Sequence, residues 1–303
     1  MMAKKPRGAL GKIGSYARWF LSSLANSSFL HSRRELLIVS GADSSHFRSA
    51  LQFLTSATHC EPDSTVVFWD LGLTESEREE IAMRFPSVHC RRFPYDEFPS
   101  YFLVTEAKGE YAWKPVIVEK SAEEFASATS KTLLLWCDAG NVIFRKLRWL
   151  RRYTVRHGVF APFSRGTLKD WTHPDTLAHF RLEGADVLRS NCASGFVGFD
   201  LVKAQARALM REWSDLAAKK QVFAPEGSSR ANHRQDQAVL SCMLVRDGIL
   251  SDGSFRTNWT EEYLTGQDID KTGADFRPKP KNFLSRLIVD IRTKSPGNNP
   301  ATH

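Results

Sequence analysis

Thr132-Leu133-Leu134-Leu135-Trp136-Cys137 is apolar on both faces if it is extended. A strand of that kind belongs in the middle of a parallel sheet covered by helices on both sides. Three shorter runs precede it. Leu36-Leu37-Ile38-Val39 closes on Ser40-Gly41-Ala42-Asp43, Thr65-Val66-Val67-Phe68-Trp69 closes on Asp70-Leu71-Gly72-Leu73, and Val88 to Phe93 forms a third. Helical patterns alternate with them. Phe47, Leu51 and Leu54 share one face of a segment running to Thr58. Thr74-Glu75-Ser76-Glu77 is a capping box that opens a helix ending near Pro86. A further helix follows Tyr111-Ala112-Trp113-Lys114-Pro115 and runs to about Ala126. Strands alternating with helices predict an α/β fold, a doubly wound and mostly parallel sheet with helices on both faces. The second half is less regular. It adds strands at Val159-Phe160-Ala161 and Gly195 to Phe199, and helices over Lys203–Lys219 and Gln235–Val245.

The 303 residues divide into three parts. Residues 1–34 are a basic amphipathic segment in which Lys4, Lys5, Arg7 and Lys12 precede Ile13, Tyr16, Trp19, Phe20, Leu21 and Leu24 at helical spacing. Such a helix either packs on its own domain or rests on anionic lipid. Residues 35–275 form the globular domain, and 276–303 are a basic tail whose last stretch is too rich in Pro, Gly and Asn to pack. No run is long and apolar enough to span a bilayer. The formal charge of +8 favours anionic ligands, but its bases are spread along the chain rather than gathered with aromatics, so no nucleic acid is expected. Cys60, Cys90, Cys137, Cys192 and Cys242 are odd in number and contain no Cys-x-x-Cys, which argues against a zinc ribbon and a disulfide scaffold and fits a reducing, cytoplasmic setting.

Ligands of an open parallel sheet bind beyond the carboxyl ends of its strands. Those ends carry Asp43, Asp70 and Asp138. For Asp43 and Asp70, local turn chemistry is the favoured explanation of the carboxylate. Asp138 stands apart, because it ends the most apolar strand and is followed by the small residues Ala139-Gly140, which leave room for a cation and its phosphate. Neither a Gly-x-Gly-x-x-Gly turn, a Gly-Lys-Ser/Thr loop nor a Gly-x-Ser-x-Gly elbow is present. Ser194-Gly195 opens a strand whose small residues let a sugar approach the backbone, or mark a bulge. Arg230, His233, Arg234 and Asp236 crowd the start of an apolar helix, where Asp236 is either a cap or part of a polar grip.

With its runs Asp70-Leu71-Gly72-Leu73, Tyr111-Ala112-Trp113-Lys114-Pro115 and Trp136-Cys137-Asp138-Ala139-Gly140, the chain resembles the GT-A superfamily of nucleotide-sugar glycosyltransferases over roughly Leu36 to Asp247. The likeness is loose to glycosyltransferase family 8 and closer to uncharacterised GT-A-like families. It implies a GT-A-like, Rossmann-like domain that transfers a sugar from a nucleotide-sugar donor to a glycan or other hydroxyl acceptor. Asp138 matches the first carboxylate of the family's Asp-x-Asp motif, which binds a divalent metal, manganese or magnesium, and the donor diphosphate. Gly140 stands in place of the second. Asn141 and His233 are then candidate further metal ligands. The resemblance assigns Ser40, Gly41, Asp43 and Asp70 to the nucleoside, Lys114 to the leaving group, and Ser194 and Gly195 to the sugar, with Ala193 where family 8 has Asn. Asp236-Gln237 matches an Asp-Gln pair near donor sugar and acceptor, the catalytic candidates. A membrane contact through the N-terminal helix would place the protein at the inner face of a membrane. The alternative is a non-catalytic glycan- or nucleotide-binding module of the same fold.

Overall fold

The computed structural model describes residues 34–126, 131–249, 263–264 and 269–272. The expected N-terminal helix and basic C-terminal tail lie outside them. Six strands form the central sheet: β1 (Glu35–Ala42), β2 (Thr65–Asp70), β3 (His89–Arg92), β4 (Thr132–Cys137), β6 (Val159–Phe160) and β9 (Phe196–Asp200). Short β5 (Val142–Ile143), β7 (Phe163–Thr167), β8 (Ser190–Cys192) and β10 (Tyr263–Leu264) pair outside it. The order across the main sheet is β3-β2-β1-β4-β9-β6. β1 lies parallel to both β2 and β4, and β2 to β3, whereas β9 runs antiparallel to β4 and β6. The mostly parallel α/β sheet expected from the apolar runs is therefore the one observed, with a single reversed strand.

All six side chains of β4 are buried, as a strand covered on both faces requires. Side chains alternate along each strand and divide the core in two. Leu37, Val39, Trp69, Leu134, Trp136, Val197 and Phe199 face one layer of helices: α3 (Trp113–Phe125), α5 (Ala204–Ala217) and α6 (Gln235–Arg246). Leu36, Ile38, Phe68, Leu133, Leu135, Cys137 and Phe196 face the other: α1 (Phe47–Cys60), α2 (Glu75–Arg84) and α4 (Arg148–His157). The capping box of α2 is formed as predicted, with Thr74 accepting from the Glu77 amide and Glu77 accepting from the Thr74 amide. Gly198 lets α4 lie close on β9, since a β-carbon there would meet Thr154 Oγ1 at 3.0 Å. Among the described residues no helix is long and apolar enough to cross a membrane.

This sheet places the carboxyl ends of β1 and β4 side by side. The amino-terminal turns of α3 and α6 close over the same end, and the reversed strand β9 brings the residues just before it, Ser194 and Gly195, to it.

Candidate functional site

A cleft of about 520 Å³ opens at that end, within the range of small-molecule sites. Gly41, Asp43, Lys114, Asp138, Asn141, Ser194, Gly195, Asp236 and Gln237 all line it. The structure thus gathers nine of the twelve predicted site residues in one place. Ser40, Asp70 and His233 are not among its walls.

At its centre is Lys114, in the first turn of α3 and only 2 % exposed. A buried cation at a helix amino terminus is doubly unfavourable, through lost hydration and through the helix dipole. Two carboxylates offset this. The Lys114 ammonium lies 3.0 Å from Asp138 Oδ1 and 2.7 Å from Asp236 Oδ2. Burial pushes the lysine pKa down, but Asp138 and then Asp236 outweigh it and hold the pKa above its ordinary value. The rings of Tyr111 and Trp136 each lie 5.6 Å from the ammonium.

Asp138 is fixed by its neighbours on β4 and β9. Trp136, two residues earlier and so on the same strand face, donates its indole N–H to Asp138 Oδ1 at 2.7 Å. The Asp138 amide donates to Gly195 O at 2.9 Å, and the Asn141 side-chain amide donates to the same oxygen at 2.6 Å. Gly195 is required here: a β-carbon would stand 2.9 Å from Asp138 Oδ2. The Asp138 side chain remains 44 % exposed and faces the cleft.

Asp236 is not an amino-terminal cap. No side-chain cap closes α6, whose first residue, Gln235, has a φ of 36° and donates from its side-chain amide to Glu110 at 2.8 Å. That contact reaches a turn with an unusual backbone. Ala107, Lys108, Glu110 and Tyr111 have φ between 44° and 58°, a left-handed run that side chains disfavour. The turn supplies Lys108 and Tyr111 to the cleft wall.

Four lysines and arginines line the cleft, Lys108, Lys114, Arg230 and Arg234, against the three carboxylates of Asp43, Asp138 and Asp236. Asp43 accepts from Ser45, pairs with His46 at 2.9 Å and lies 3.6 Å from Lys108. Burial raises its pKa, yet these contacts prevail and hold it well below the usual carboxylate range. Lys114 takes the other two. The guanidiniums of Arg230 and Arg234 therefore have no carboxylate partner among the described residues. Arg230 lies over the Tyr111 ring at 5.0 Å and donates to its hydroxyl. Arg234 lies over Trp171 at 4.1 Å, and its Nε is buried without a partner.

Three predicted site residues are spent elsewhere. Asp70 accepts from the Gly72 and Leu73 amides at 2.7 and 2.6 Å and from Arg78 at 3.2 Å. It holds the β2–α2 turn rather than a nucleoside. The Ser40 side chain is enclosed in the sheet. His233, expected as a metal ligand, is 0 % exposed. Its Nδ1 accepts from the His173 amide at 3.1 Å and its Nε2–H donates to Phe223 O at 2.9 Å. Both ring nitrogens are used, so neither can bind a cation.

Among the described residues, what remains does not fit the expected divalent cation. No group of three or more His, Cys, Asp or Glu side chains is arranged to hold a metal among the described residues. Asp138 Oδ1 already accepts from an indole and an ammonium, and Asn141 offers at most one neutral oxygen. The residues that sequence reasoning left out of the site are Trp136, Tyr111 and Lys108. Only Trp136 had a local signal, its spacing of two from Asp138.

A family profile described as a protein of unknown function (DUF1647) matches residues 21–119. That stretch contains Lys114 and ends before Asp138 and Asp236. No curated protein sequence matches the chain. Solved structures do. The galactosyltransferase LgtC, in complex with donor and acceptor sugar analogues, is 16 % identical, with 68 % of this chain and 70 % of that one covered and a TM-score of 0.43. Mouse xyloside xylosyltransferase 1 in its apo form is 13 % identical over 72 % of this chain and 83 % of its own, with a TM-score of 0.43. Core-mannan synthase A from Aspergillus fumigatus, in an Mn/GDP form, is 9 % identical over 70 % of each chain, with a TM-score of 0.44.

Proposed function

We propose that the chain is a GT-A-type glycosyltransferase that moves a sugar from a nucleoside-diphosphate-sugar donor to a hydroxyl of a glycan or other acceptor. The observation that carries this reading is the meeting of Asp138 and Asp236 on one buried ammonium, inside a cleft that also holds two guanidiniums free of carboxylates. Such a cleft suits a ligand with an anionic diphosphate at one end and neutral hydroxyls at the other. Guanidiniums match phosphate oxygens through paired N–H donors. Carboxylates and the Gln237 amide match sugar hydroxyls, and Gly195 with Ser194 keeps the wall low beside them.

In the transfer, the bond from the anomeric carbon to the diphosphate oxygen breaks and its electron pair stays on that oxygen. The acceptor oxygen bonds the anomeric carbon and gives up its proton. Asp236 is the group we assign to orient that hydroxyl and take the proton, with Gln237 beside it. Lys114 keeps Asp236 in place.

A screen of nucleoside-diphosphate sugars for release of the nucleoside diphosphate, with water and with simple glycosides as acceptors, tests the reading. One donor should be turned over, and Asp236→Asn should slow it by about 100-fold or more, the usual worth of a positioned base. The close ion pairing of both carboxylates favours a second reading, a binding module without catalysis. That reading stands if a sugar nucleotide binds and no release occurs with any acceptor. The absence of both binding and release refutes the two together.

A further inference from the structure

We propose that this site binds its donor diphosphate without a divalent cation: Lys114 offsets from within one of the two charges of Asp138 and Asp236, and Arg230 and Arg234 outweigh the other and grip the phosphates. The inference rests on the sugar-nucleotide reading above and deepens it.

A diphosphate cannot lie beside two bare carboxylates, since like charges repel strongly where water is excluded. A bound metal is one way to remove that repulsion. Here the ammonium of Lys114 already lies between the two carboxylates, 3.0 and 2.7 Å from them. It is a permanent part of the fold, buried in the first turn of α3 and covered by the Tyr111 and Trp136 rings. A dication added to the same carboxylates would have to share them with this ammonium. The chain correspondingly has glycine, at position 140, where the resemblance would put a second carboxylate.

The charge that faces the ligand then comes from the arginines. Arg230 and Arg234 both line the cleft and neither is paired with a carboxylate among the described residues. Each lies against an aromatic ring, Arg230 5.0 Å from the Tyr111 centroid and Arg234 4.1 Å from that of Trp171. A guanidinium is a planar fork that presents two donors at the spacing of phosphate oxygens. The Nε of Arg234 is buried with no partner. Buried donors are ordinarily satisfied, and a phosphate oxygen reaching this arginine would satisfy this one.

Calorimetric titration of the full chain with UDP, GDP, ADP, CDP and TDP, each in EDTA and again in Mn2+, decides the matter. We expect one nucleotide to bind with the same Kd, to within about twofold, in both buffers, and Mn2+ titrated alone to give no binding heat. Binding confined to Mn2+, or tighter there by about tenfold or more, would overturn the inference and leave the sugar-nucleotide reading intact. Binding in neither buffer would overturn both. Arg234→Ala, checked for an unchanged circular dichroism spectrum, should weaken the EDTA titration by about tenfold to a hundredfold, since it deletes a charge-assisted phosphate contact. An unchanged Kd in that variant would overturn the arginine assignment.

Discussion

The carboxylate of Asp138 occupies the space in which Gly195 would carry a side chain. A β-carbon at position 195 would stand 2.9 Å from Asp138 Oδ2. Something must yield to Gly195→Ala, and the half-exposed Asp138 side chain is the softer partner. Turning it away breaks its contacts with Trp136 and Lys114 while leaving the sheet intact. Gly195→Ala should therefore lose nucleotide binding by about tenfold or more and lower the unfolding free energy by about 1–3 kcal/mol, since the Lys114 ammonium and the Trp136 indole each lose a partner while Asp236 still pairs with Lys114. Urea unfolding beside a binding titration checks both halves. A larger loss of stability would mean that the backbone of β9 moved instead.

Lys114 offers the stronger case. Removing one member of a buried ionic cluster leaves the others uncompensated, which costs about 3–5 kcal/mol. Lys114→Met, similar in length but neutral, should destabilise the chain by that amount in urea. Asp236→Asn added to Lys114→Met should recover part of the loss, because one of the stranded charges is then gone. Additive losses would show that the two side chains do not interact.

Much of this was legible in sequence, and the reason is locality. The runs Leu36–Val39, Thr65–Trp69 and Thr132–Cys137 announce buried strands without reference to anything distant, and Thr74 and Glu77 cap a helix within one turn. Asp138 was legible too, since it ends such a strand. The convergence of Lys114, Asp138 and Asp236 came from family resemblance and strand-end position, and no spacing shows that one ammonium serves both carboxylates. His233 was misread because its burial depends on the backbones of His173 and Phe223, which only the folded chain brings to it. Asp70 does the turn work that its local sequence favoured, not the nucleoside contact that the resemblance assigned to it: Gly72, Leu73 and Arg78, all close by, consume it.

Nothing in the sequence marks the left-handed turn at 107–111, and it can be tested directly. Ala107 is exposed and has a φ of 44°. In this region a β-carbon costs roughly 1–2 kcal/mol, and glycine returns about 0.5–1 kcal/mol of that through its freedom when unfolded. Ala107→Gly should thus raise stability by about 0.5–1 kcal/mol in urea. The same substitution in a right-handed turn would lower it by about as much, so the sign reports the handedness.

His233 makes stability depend on pH in a defined window. Burial pushes its pKa from 6.5 down to about 4, more than the Phe223 carbonyl restores, and His173 adds a smaller push in the same direction. Between those values the unfolded chain takes up a proton that the folded chain refuses. The stabilising contribution of the neutral ring is complete above pH 6.5 and is lost as the pH falls toward about 4. At about 1.4 kcal/mol per unit, the loss comes to about 3 kcal/mol. Thermal unfolding of the wild type should show this decline over that interval. His233→Gln, which cannot titrate, should be less stable at neutral pH through lost packing and should fall less steeply across the same interval. Parallel pH profiles for the two proteins would mean that the folded chain takes up the proton over the same interval as the unfolded one, and that Nδ1 is not held as the acceptor of the His173 amide.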